Sequence, residues 1–162
     1  MPFTPFHFGA GAAIHSMAPR RISFLAFCAC NVVTDTEPLY YMLTHQYPVH
    51  RFLHTFVGAN VSWAVTLLLF LVAVRMADRL SLPNWFDWRT LKPMSVAIGA
   101  ALGSYSHVVL DGLSHQDMTP LAPFSDSNPF LGGASDAVVY VFCVVAALIG
   151  IIVIGVRRRL RH

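Results

Sequence analysis

The chain alternates long apolar runs with short polar or basic breaks. Phe52 to Val74 is apolar apart from His54, Asn60 and a few hydroxyls, and Ala137 to Val156 carries no charge at all. A membrane span needs roughly 20 apolar residues. Met94 to Leu113 meets that length while carrying His107 and Asp111, and Ile22 to Leu43 does so only by including Asp35 and Glu37. Phe3 to Met17 is shorter and reads as a tilted or half-inserted helix. The pattern predicts an all-α, polytopic transmembrane helical bundle with four or five membrane segments, forming a single domain over residues 1–162. Composition agrees. The chain is 56% hydrophobic and 12% charged, about half the charged fraction of a soluble domain, with mean hydropathy +0.58. The start MPFTPFHF lacks a basic region and no small-residue cleavage site follows, so no signal peptide is expected.

Charge gives the orientation. Arg20 and Arg21 separate the first two segments; Arg75, Arg79, Arg89 and Lys92 separate the third and fourth; Arg157, Arg158, Arg159 and Arg161 follow the last. If segments alternate in direction, these ten share one side, and only Arg51 of the 11 Lys and Arg residues falls on the other. The positive-inside rule makes the basic side cytoplasmic. The chain is then an integral membrane protein with its C-terminus cytoplasmic and its other face on the outer side. Trp85 and Trp88 beside basic residues read as an interfacial belt. The pI near 9.0 therefore indicates no nucleic-acid partner; the partner is the lipid bilayer. Cys28, Cys30 and Cys143 all lie in apolar runs and read as small buried hydrophobes.

The polar residues inside the apolar runs share one depth. His7 lies 13 residues before Arg20 and Asp35 lies 14 after Arg21, so a hairpin turning at the two arginines brings them level. His50 and His54 open the third segment at its outer end, and His107 lies 15 residues beyond Lys92, with Asp111 one turn further. His107 and Asp111 continue a row of small residues, Ser95, Gly99 and Gly103. Small residues at this spacing let helices approach closely. His50 and His54 read as a similar row continuing into Gly58 and Ser62. Ionisable groups on such seams face the bundle interior or a wet cavity, and they mark function. His15 and His45 read instead as hydrogen-bonded structural residues.

A buried carboxylate needs a cation or donors to remain ionised. His107 and Asp111, at i and i+4 on a helix, can share one metal ion. His nitrogen with carboxylate oxygen suits zinc, manganese or iron(II). His115 is about 12 Å further along a continuous helix, which opens the possibility of two ions bridged by Asp111. Two metals suit phosphoester hydrolysis. Arg51, the lone outer-side cation, is a candidate phosphate clamp, and Asp35 or Glu37 a candidate general base. The irregular stretch Thr119 to Ser135 reads either as an outer lid or as an ordinary connection.

FHFGAGAAIH, VVTDTEPLYY, PVHRFLHTF and SHVVLDGLSHQDMTPLAPFS together resemble the family of membrane-bound metal-dependent hydrolases, which includes LexA-regulated inner-membrane hydrolases of bacteria. The resemblance covers His7 to about Pro129. It extends distantly to the zinc-dependent phospholipase C and single-strand nuclease superfamily. It implies His7, Asp35, His54, His107 and Asp111 as metal ligands, then His50 and Glu37; Glu37 stands where the pattern has a second Asp. The implied function is metal-dependent hydrolysis of a phosphoester, such as a lipid headgroup or lipid-linked phosphate, at the outer interface. Three readings compete: this hydrolase, a non-catalytic protein that binds metal or handles ions or protons, and a haem protein ligated by His54 and His107.

Overall fold

The computed structural model describes residues 4–160; Phe3, Arg161 and His162 lie outside the described residues. Five α-helices follow in order, α1 Thr4–Met17, α2 Phe24–Leu43, α3 Phe56–Met76, α4 Pro93–Gly112 and α5 Asp136–Arg159, with no strand among the described residues. Three of them, α3, α4 and α5, are long and apolar enough to cross a membrane. With 14 residues, α1 reaches only about 21 Å, short of the roughly 30 Å hydrocarbon layer. α2 has 20 residues but includes Asp35 and Glu37.

Local chemistry sets the helix starts. Ser23, Thr55 and Ser135 cap α2, α3 and α5 with side-chain oxygens that accept the N–H of Ala26, Gly58 and Val138. α4 opens on Pro93, where a missing N–H costs nothing.

α1 packs chiefly on α5, α2 on α4, and α3 on α4. The Ser95–Gly99–Gly103 row is the α2–α4 seam. A Cβ on Gly99 would overlap the Ser23 carbonyl, and one on Gly103 would stand 2.7 Å from the Phe27 carbonyl oxygen. The Ser23 N–H donates to the Ser95 carbonyl at 3.0 Å across that seam. Polar side chains tie α3 to α4: Trp63 Nε1–H donates to the Ala97 carbonyl at 2.9 Å, and the Tyr105 hydroxyl to Asn60 Oδ1 at 2.9 Å. Outward, α3 exposes Leu68, Leu69 and Val72, and α5 exposes Phe142, Ile151 and Ile152. Apolar faces of this extent suit lipid contact.

The third segment departs from its predicted form. Residues 52–54 make a short 3-10 turn and α3 begins only at Phe56, so His50, His54, Gly58 and Ser62 do not form one helical row. Two contacts hold the turn apart. Thr55 takes the extended conformation of a cap, and Glu37 Oε2 accepts the N–H of Arg51 at 3.2 Å and of Leu53 at 2.8 Å. α4 likewise stops at Gly112, so His115 lies beyond the helix.

The 119–135 stretch is irregular and pinned down. Asn128 Nδ2 donates to the carbonyls of Gly112 at 2.9 Å and His115 at 3.3 Å, and the Phe56 N–H donates to the Pro120 carbonyl at 2.9 Å. It thereby clasps the end of α4 to the start of α3. At the opposite end, Arg157 of α5 donates to the Ser16 and Met17 carbonyls, satisfying acceptors that α1 leaves open at its C-terminus.

Candidate metal centre

α4 carries His107 and Asp111 one turn apart on its buried face, 1% and 2% exposed. α2 brings Asp35 against them, and the 52–54 turn brings His54. Four atoms converge: His107 Nε2, His54 Nε2, Asp35 Oδ1 and Asp111 Oδ2. His107 Nε2 lies 3.2 Å from His54 Nε2, 3.1 Å from Asp35 Oδ1 and 3.2 Å from Asp111 Oδ2. His54 Nε2 lies 3.6 Å from Asp35 Oδ1 and 3.7 Å from Asp111 Oδ2. A tetrahedral ion with ligands at about 2.0–2.1 Å has ligand–ligand edges near 3.3–3.4 Å. Five edges of this cluster bracket that value. The 3.2 Å between the imidazoles also leaves no room for a porphyrin plane, which removes the haem reading.

Proton placement strengthens the fit. Asn31, one turn before Asp35, donates its amide to the Phe27 carbonyl at 2.8 Å. Its Oδ1 therefore faces His107 Nδ1, also at 2.8 Å. An amide oxygen only accepts, so Nδ1 carries a proton and Nε2 is the ring atom left to serve as a ligand. This is the arrangement that metal-ligating histidines use, with the distal nitrogen held by an acceptor. Two imidazole nitrogens and two carboxylate oxygens then face one another, and a single cation among them satisfies all four.

A second group adjoins the first through Asp111. His50, Asp111 and His115 each offer a ligand atom within 4.8 Å of the others. The chain makes one more turn beyond α4, in which the His115 N–H and Nδ1 both donate to the Asp111 carbonyl, at 2.9 and 3.0 Å. The His115 ring lies 4.5 Å from that of His50. His50 Nδ1 pairs with Asp117 Oδ1 at 2.8 Å, and Asp117 Oδ2 accepts the N–H of Val49 and His50. In both His50 and His115, Nδ1 donates, which leaves Nε2 as the ring atom available to a metal.

Burial, and then the neighbouring His54, hold the His50 imidazole below its ordinary value despite the Asp117 carboxylate. Asp117 is shifted the same way for the opposite reason. Burial pushes it up, but the His50 hydrogen bond and charge, with the two N–H donors, hold it below the usual carboxylate range. The pair is best described as a neutral imidazole donating to an anion.

His7 also reaches the cluster from α1. Its Nε2 lies 3.1 Å from Asp111 Oδ1, without the alignment of a hydrogen bond, and its ring is 4.5 Å from that of His107. Both His7 nitrogens, His54 Nδ1 and Asp111 Oδ1 are buried with no aligned hydrogen-bond partner among the described residues. Each such atom costs about 1–3 kcal/mol, a penalty that ions coordinated beside Asp111 relieve at His7 and Asp111. Glu37 stands behind the cluster. Its Oε2 is 3.7 Å from His54 Nδ1 and braces the 51–53 backbone. Arg51 lies to one side, its guanidinium 3.7 Å above the Tyr41 ring and its Nε donating to the Pro48 carbonyl.

Sequence reasoning missed Asn31 as the group that fixes His107, and Asp117 as the group that fixes His50. Asn31 and Asp35 repeat the i, i+4 spacing of His107 and Asp111, and that was the available signal. His15, whose Nδ1 meets the Ile22 carbonyl at 2.6 Å, stays away from the cluster.

Fold and site together define a class: an all-helical chain with three membrane-length helices and a buried histidine–carboxylate cluster able to hold a metal ion. The chain belongs to the family described as a domain of unknown function, DUF4184, which matches residues 1–157. No curated protein and no solved structure matches it.

Proposed function

We propose that this protein is a membrane-embedded metal-dependent hydrolase of phosphoesters, of the membrane-bound metal-dependent hydrolase type that its motifs resemble. In this reading α1 and α2 enter the bilayer beside α3, α4 and α5, giving four or five spans, and the cluster faces the periplasmic side of an inner membrane. The observation that carries the proposal is the sharing of Asp111 between a four-residue group and a three-residue group. Four protein ligands fill a tetrahedral ion; three leave a position for water or substrate. Asp35, His54, His107 and Asp111 hold the first ion, and His50, His115 and Asp111 the second, with His7 available to either. When bound, zinc, manganese or iron there supplies Lewis-acid activation of water and of a phosphoryl oxygen.

The chain's own residues supply the rest. His50 and Arg51 both border an open recess of about 400 Å³, which gives a substrate access to the three-residue group. Arg51, stacked on Tyr41, presents a cation at that rim for a phosphate oxygen. Asp117 and the Asp111 carbonyl keep the His50 and His115 protons on Nδ1. Glu37, which holds neither ion in this assignment, is the carboxylate left to act as general base; Asp35, with a side chain 22% exposed, takes that role only where it is not a ligand. A lipid headgroup or lipid-linked phosphate is the substrate class that this depth favours.

Burial of the four-residue group favours a second reading, a metal-binding protein without turnover, since closed sites are usually structural. One experiment separates the two. Metal content is measured on detergent-purified protein, with Asp111→Ala and His50→Ala variants, beside a phosphodiester and phospholipid hydrolysis screen. The expected result is about two ions per chain, none in Asp111→Ala, one in His50→Ala, and turnover lost in both. Metal without turnover by the wild type supports the second reading. No metal after incubation with zinc, manganese or iron overturns both.

A further inference from the structure

The far end of the bundle carries a second cavity, of about 820 Å³, that the proposed chemistry does not use. Three cations from three different segments border it: Arg20 from the α1–α2 turn, Lys92 before α4, and Arg158 near the end of α5. One carboxylate, Asp87, faces them. Among the described residues the one Lys or Arg ion pair is Arg89 with Asp78, so none of the three cations is paired and together they outnumber the one carboxylate. Ser23 and Ser95 also border the cavity, so α2 and α4 turn their N-termini toward it, and helix N-termini favour anions. Along α4, Lys92 is about 22 Å from His107, which places this cavity well apart from the metal centre.

The cavity does not end at its polar wall. Leu25 and Leu91 belong both to it and to an apolar groove of about 290 Å³. The groove runs between α2 and α3, over Ala29, Val33, Leu69, Phe70 and Ala73. A cationic chamber thus adjoins an apolar groove along the outside of a membrane-length helix, with Leu25 and Leu91 lining both. Free phosphate matches only the first half of this shape. Phosphatidylcholine, whose headgroup has no net charge, matches only the second. At the chamber's margin, Trp85 and Phe86 are 73% and 88% exposed, as aromatic side chains at headgroup level are. Phe86 and Asp87 both hold positive φ, a strain that non-glycine residues keep only where the surroundings require it.

We propose that this cavity and groove form a binding site for one anionic phospholipid, its phosphate among Arg20, Lys92 and Arg158 and an acyl chain along Ala29 and Leu69. Basic pockets between membrane helices are suited to such headgroups. The site is independent of whether the metal centre turns over substrate.

The test uses the full chain in detergent. Binding of dioleoylphosphatidylglycerol, dioleoylphosphatidylcholine and inorganic phosphate is measured by native mass spectrometry and by the shift in Tm. The glycerol lipid is expected to bind about tenfold or more tightly than the choline lipid, a preference that 0.5 M salt abolishes because salt screens exposed charges. Inorganic phosphate alone should give little shift. The combined Arg20→Gln, Lys92→Gln and Arg158→Gln variant should lose the preference, and Ala29→Phe, which fills the groove, should weaken both lipids. Unchanged metal content in these variants shows that the fold is intact. A salt-insensitive preference, or none, in the wild type overturns the proposal without reference to any variant. So does a preference that survives charge removal, or phosphate binding as tight as that of the anionic lipid.

Discussion

Asn31 makes no contact with the space between the four ligands, yet it decides which nitrogen of His107 faces that space. Removing its oxygen in Asn31→Ala frees the imidazole to place its proton on either side. Loss of such a supporting partner usually lowers metal affinity about 10–100-fold. That drop is expected in a chelator competition, with helicity unchanged; an affinity equal to wild type would show that Asn31 only fills volume. Single residues were legible in the sequence to uneven depth. His107 and Asp111 stand out because a carboxylate and an imidazole one turn apart have no bland role in an apolar helix. Asn31 does not stand out, because an amide in such a helix is most often satisfied by its own backbone, as half of this one is. Glu37 reads in sequence as a ligand or base, whereas its oxygen is engaged with two backbone N–H groups, and no pattern along the chain reveals such a bond.

The metal centre is only as well aligned as the seam between α2 and α4, since Asn31 and Asp35 sit on one helix and His107 and Asp111 on the other. Gly103→Leu would force that seam apart, because a Cβ there already meets the Phe27 backbone. The expected cost is about 1–3 kcal/mol, with loss of bound metal. Gly155→Leu on α5 is the matched control, because a Cβ at Gly155 meets open space, and it should leave both Tm and metal content unchanged. Thermal melting beside metal analysis checks the pair. At this scale the sequence performs well where hydrophobic length dominates: α2, α4 and α5 begin within two residues of the apolar runs that predict them. It fails at the start of α3, where the segment predicted from Phe52 opens instead with a 3-10 turn over Phe52–His54. The break there is made by a threonine cap and by Glu37 from another helix, and hydropathy registers neither.

For the whole molecule, the histidines make metal retention a function of pH. Ligating imidazoles must be neutral, so protons compete with metal. Bound metal is expected to fall as acid protonates the ligands and to return on neutralisation, with His50, held below the ordinary imidazole value, protonated only at lower pH; metal content that does not change with acid would argue against histidine ligation. The two ends of the bundle differ in kind, with His and carboxylate at one and arginine at the other. Single cysteines at Asn84 and Ser127 should accordingly react with an impermeant maleimide from opposite faces of a sealed vesicle, and labelling of both from one face would refute a spanning arrangement. The cluster itself draws on α1, α2, the 50–54 segment, α4 and the turn beyond it, while α5 lends it no ligand and serves as the main neighbour of α1. A ribosome makes these pieces in sequence. The four-residue group is complete once α4 has left the exit tunnel, whereas α1, with His7, has no firm seat until α5 follows. Metal loading would then come in two stages during synthesis, and nascent chains cut after Ala134 and extended by an unstructured linker long enough to expose α4 should already gain protease resistance on addition of zinc.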